Sequence, residues 1–117
     1  AMRRPTITML LDLAETRATA REQGIRACMS LLEHWSRSGA ILSLVIRDHK
    51  FQVVTGRIGD FRDALAELPR LDARCTSSVA LPNVATKPHV AIVKEGMTCH
   101  HGTEMVVCFK EAGWYIA

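Results

Sequence analysis

Cys99, His100 and His101 stand side by side between Gly96 and Gly102. Thiol and imidazole are the side chains that bind zinc or, paired, make a nucleophile. In an extended segment Cys99 and His101 share one face and His100 takes the other, with Cys108 placed as a third ligand and Cys75 as a fourth. Structural zinc sites set two close ligands on each of two segments, and only one segment here carries such a pair. The stretch therefore reads first as a polar loop. Cys99, His101 and Cys108 are kept as metal candidates, and no catalytic residue and no cofactor is assigned.

Other reactive side chains read as structural. Asp48, His49 and Lys50 resemble an acid–base cluster but fall where a solvated turn is expected. Cys28 and His34 lie on or near an apolar helical stripe, where a small thiol usually packs. The glycines of GRIGD lack the further glycine, lysine and hydroxyl of a phosphate loop.

The elements that position these groups follow from periodicity. RRPTITMLLDLAETRATAREQGIRACMSLLEHWSRSG reads as a single long N-terminal helix over residues 6–37, with a helical hairpin broken at Gly24 as the alternative. Ile7, Leu11, Ala14, Ala18, Ile25, Cys28, Leu32 and Trp35 alternate spacings of four and three, and Arg21 is the charged member of the series. After Gly39 the period becomes that of strands. AILSLVIRD and FQVVTGRI form a hairpin around Asp48 to Lys50, FRDALAEL over 61–68 forms a short helix capped by Asp60, and a short strand is expected around Ser78 to Leu81. HVAIVK and EMVVCFK flank the Cys99 loop as a second hairpin, and EAG turns the chain into WYIA. The expected fold is a single α+β domain over 1–117, with an antiparallel sheet of about five strands.

Charge and composition narrow the function classes. Hydrophobic residues make up 48% and charged residues 23% of 117, the balance of a chain able to build a core. No apolar run approaches the ~20 residues of a membrane span, and a cytoplasmic location with reduced cysteines is expected. Net charge is +3, with ten basic against six acidic residues through Arg62 and five against six beyond it. The arginines are scattered singly, without the stripe or motif of a dedicated nucleic-acid binder. The hairpin LSLVIRDHKFQVVTGRIGDF resembles the first half of an Sm-type RNA-binding barrel over about twenty residues. It departs from that pattern by extra residues before Gly56 and by a helix straight after Asp60, so no RNA-contacting residue is carried across.

The function expected by elimination is a small non-enzymatic binding module, an adaptor, regulator or inhibitor acting on an unknown protein partner. One alternative is a nucleic-acid binder using Arg3, Arg4, Arg17, Arg21 and Arg26; another is a metal-dependent or thiol enzyme centred on Cys99, His100 and His101. A 6–37 helix would overhang its sheet, so a homodimer is expected through Ile7, Leu11, Ala14, Arg17 and Arg21, dissociable by Leu11→Glu.

Overall fold

The structure, a computed structural model, describes residues 4–48, 50–68, 87–97 and 103–117. In chain order these form β1 (Thr6–Asp12), α1 (Ala18–Arg37), β2 (Ile41–Arg47), β3 (Phe51–Thr55), α2 (Ile58–Ala66), β4 (Val90–Lys94), β5 (Met105–Lys110) and β6 (Gly113–Ile116). The strands make one open mixed sheet in the order β3-β2-β1-β4-β5-β6. β1, β2, β4 and β5 run parallel, and β3 and β6 close the two edges antiparallel.

The expected N-terminal helix is corrected first. Its opening seven residues, TITMLLD, are a strand between β2 and β4. A strand with neighbours on both sides and cover on both faces needs no polar alternation, so its apolar run mimics a helix segment. Met9 and Leu11 enter the main core on one face, while Leu10 joins Val45 and Phe51 on the other. α1 begins only at Ala18, after Arg17 in extended conformation. The downstream half of the heptad-like series does face inward, with Ile25, Cys28 and Leu32 buried.

Gly24 does not break α1. A methyl group there would come within 2.9 Å of the Phe109 ring, so the missing side chain is what lets the helix lie close against β5. This is close packing and not a hinge.

The antiparallel sheet is corrected second. The hairpin joining β2 to β3 and the tight turn joining β5 to β6 are antiparallel as expected. β1–β2 is instead a parallel pair linked by α1, and HVAIVK and EMVVCFK are parallel neighbours, with Val90 opposite Met105. HVAIVK and EMVVCFK therefore do not pair as a hairpin. The barrel-like hairpin likewise belongs to an open sheet.

α2 starts at Ile58, three residues before the expected helix, because Asp60 lies inside its first turn and accepts a hydrogen bond from the Arg57 backbone N–H at 2.8 Å. Both helices bury their apolar faces in one cluster with β1, β2, β4 and β5. No helix among the described residues is long and apolar enough to cross a membrane. The strand expected around Ser78 to Leu81 lies outside the described residues.

Candidate functional site at the carboxyl ends of the parallel strands

From β1 the chain moves to β2 and β3 on one side and later returns to β4 on the other, so the order reverses between β1 and β4. In open α/β sheets the crevice at the carboxyl ends of the strands flanking such a reversal is where ligands bind. Here that end is built from the loop 13–17 and the ends of β4 and β5. They enclose a cavity of about 290 Å³.

Two ion pairs, one buried and one partly buried, hold the loop. Arg47 lies opposite Asp12 in the β1–β2 register, on the same face, and its Nε and Nη2 donate to the two carboxylate oxygens at 3.0 and 2.6 Å. Asp12 Oδ1 also accepts the Ala14 backbone N–H at 3.1 Å. The next residue, Asp48, meets Arg21 of α1, whose Nη1 and Nη2 donate to its two oxygens at 3.0 and 2.7 Å. Arg21 is 0% exposed, and its Nη1 also donates to the Leu13 carbonyl at 3.4 Å. The Thr16 hydroxyl donates to the same carbonyl at 2.6 Å. The two pairs thus reach the loop from opposite faces of the sheet, Asp12–Arg47 through the Ala14 N–H and Arg21 through the Leu13 carbonyl.

What the loop carries outward is Glu15 and Arg17, both exposed. Glu15 has φ +57°, the only positive φ of a non-glycine residue among those described. A side chain in that region costs of order 1–2 kcal/mol, sustained only where surrounding contacts over-determine it. Facing them across the cavity are Lys94, Glu95, Lys110 and Glu111. Glu95 is engaged: it accepts the Tyr115 hydroxyl at 2.6 Å and lies 3.7 Å from Lys110 Nζ, which stands over the Tyr115 ring. The hydrogen bond to that carboxylate pushes the Tyr115 pKa up to about 12. The side chains of Glu15, Arg17, Lys94 and Glu111 have no ion-pair partner among the described residues.

The residues singled out from sequence are not gathered in one place. Leu11 is 0% and Ala14 5% exposed, and Ile7 is half-buried, so no helical row stands free to receive a second chain. Of the five expected interaction residues, Arg17 is exposed at the cavity and Arg21 is a buried anchor. Asp48 is a correction: the expected solvated-turn residue is 2% exposed and ion-paired. Cys28 is wholly buried, and burial pushes its thiol pKa far up. Cys108 sits on β5 beside Tyr115 in the β5–β6 register. His49, Cys75, Cys99, His100 and His101 lie outside the described residues. Among the described ones no three His, Cys, Asp or Glu side chains converge to hold a metal.

The two ion pairs span 35 and 27 residues, which is why local reading missed them. A signal was present: Arg21 interrupting an apolar helical series is a buried cation in need of an anion. Comparison of the chain with protein-family models, with curated proteins and with solved structures found no match in any of the three.

Proposed function

We propose that this chain is a non-enzymatic binding module that recognises a segment of a partner protein at the carboxyl ends of its parallel strands. The observation carrying this reading is the 13–17 loop. A backbone-strained, exposed Glu15 and an Arg17 without an ion-pair partner among the described residues are held over a cavity by two bidentate ion pairs, Arg21–Asp48 buried and Asp12–Arg47 partly buried. Buried ion pairs are poor sources of net stability, since desolvation offsets most of the Coulomb gain. Their concentration under one loop supports a positioning role.

The lining supports the ligand class. Cations and carboxylates alternate around the cavity, Glu15 and Arg17 against Lys94 and Glu111. A peptide segment carrying both charge signs would complement it, whereas a polyanion would meet three carboxylates as well as three cations. No observation favours nucleic acid. Arg4 lies before the amino end of β1, donating to the Gly39 carbonyl, while Arg17 lies beyond its carboxyl end and Arg21 is buried; Arg3 is outside the described residues.

The test is the exchange Glu15→Lys with Arg17→Glu, which preserves net charge and leaves both ion pairs intact. Capture of the protein partner from host extract is expected to fall at least tenfold, with the melting temperature unchanged. Equal capture by the exchanged and original proteins would remove the loop from the recognition surface.

A further inference from the structure

The second feature is the β6 edge of the sheet. Natural sheets blunt an open edge with lysine, proline, a bulge or a covering element. Among the described residues β6 has none of these: its residues are Gly113, Trp114, Tyr115 and Ile116, and the three large side chains are 37%, 42% and 57% exposed. The opposite edge strand, β3, is bracketed by the cations Lys50 and Arg57, whereas β6 lies between Ala112 and Ala117.

The backbone parity of β6 is fixed by its pairing with β5. Lys110 pairs with Gly113 and Cys108 with Tyr115, and the Ala117 N–H donates to the Val106 carbonyl at 2.9 Å. In an antiparallel ladder bonded and non-bonded pairs alternate. Ala117, Tyr115 and Gly113 therefore bond inward to β5, and Trp114 and Ile116 turn both N–H and C=O toward the open edge. Their side chains lie on the face shared with Phe109 and Val107, the helical side of the sheet, and Tyr115 lies on the other face with Cys108.

We infer that β6 pairs antiparallel with β6 of a second copy of this chain, joining two sheets of six strands into one. A two-fold axis through Tyr115 sets Trp114 of each copy opposite Ile116 of the other. Those are the residues with outward-facing backbone groups, so the two pairs exchange four hydrogen bonds. On the helical side each cross-strand pair is aromatic against β-branched, a favourable combination, and Tyr115 meets its own copy on the other face. Glu111 is not set against itself, because in this register its partner position falls beyond Ile116 and Ala117. The same patch serves both copies, as a two-fold interface requires. A contact made by one four-residue strand falls short of the roughly 1,200 Å² typical of stable complexes, so the dimer is reversible and concentration-dependent.

Sedimentation velocity from low micromolar to near-millimolar protein tests this. A monomer–dimer equilibrium is expected. Ile116→Pro removes only an outward N–H and keeps the β5 ladder, and it should weaken association at least tenfold. Trp114→Lys should do the same, and Val53→Lys on the β3 edge should have no effect. Amide exchange of the unaltered protein gives an independent reading: Trp114 and Ile116 gain protection as concentration rises, while Tyr115 is protected throughout. A monomer at every concentration, a dimer that survives both β6 variants, or Trp114 and Ile116 exchange rates independent of concentration would each overturn the inference.

Discussion

At the scale of the residue, Arg21 shows how one side chain changes meaning with its surroundings. A fully buried guanidinium is tolerable where Asp48 neutralises it and the Leu13 carbonyl and Thr16 hydroxyl accept from it. Arg21→Met should cost about 3–5 kcal/mol in urea denaturation, since it takes the bidentate guanidinium away from a buried carboxylate. Adding Asp48→Leu should restore most of that loss; a single variant as stable as the original would show that the pair is solvated. Tyr115 offers a second measurement, because it is the only tyrosine in the chain and its ionisation can be followed by absorbance. Its phenol is held protonated by Glu95, with a pKa of about 12 against an ordinary 10.0. The folded protein therefore binds this proton more tightly than the unfolded chain. The stabilisation is complete below the ordinary value and is lost as pH rises through that interval. Glu95→Gln should bring the titration midpoint back toward the ordinary value, and an unmoved midpoint would exclude the hydrogen bond as its cause.

At the scale of the element, α1 and the loop before it carry opposing demands. Replacing Gly24 by alanine gains roughly 1 kcal/mol of helix propensity. The new methyl meets the Phe109 ring, which is 0% exposed and has nowhere to move, and overpacking of that kind costs about 1–3 kcal/mol. Gly24→Ala should therefore destabilise on balance, yet become stabilising in a Phe109→Leu background; thermal melts of the four proteins decide it. In the loop the prediction has the opposite sign. Glu15→Gly relieves a positive φ and should raise stability by up to about 1 kcal/mol while reducing partner capture. A loss of stability would mean that the Glu15 side chain itself holds the loop.

At the scale of the whole molecule, the central position of β1 decides what its substitutions do. Leu11 is the residue whose replacement by glutamate is expected from sequence to separate two chains, but it lies in the core between β2 and β4. A glutamate there is a buried, unpaired carboxylate, costing about 4 kcal/mol or more, a large part of the stability of an ordinary domain. Leu11→Glu should give an unfolded or aggregated protein by circular dichroism, and a folded monomer would place Leu11 outside the core. The self-association inferred above uses the β6 edge and not the heptad-like series that includes Leu11.

The sequence by itself determined the elements whose partners are close in the chain. The β2–β3 and β5–β6 hairpins, the existence of α2, and the inward stripe Ile25, Cys28 and Leu32 of α1 are all set by turn chemistry or by contacts one helical turn apart. Tertiary structure decided the rest. TITMLLD is a strand because neighbours on both sides bury it, and an apolar run buried on both faces carries no period of its own. The parallel pairing of β1 with β2 and β4 joins segments with an element or more between them, which no local pattern encodes. The cavity loop owes its form to Asp12–Arg47 and Arg21–Asp48, pairs whose members look unrelated until the sheet sets Arg47 opposite Asp12 and the packing of α1 brings Arg21 to Asp48.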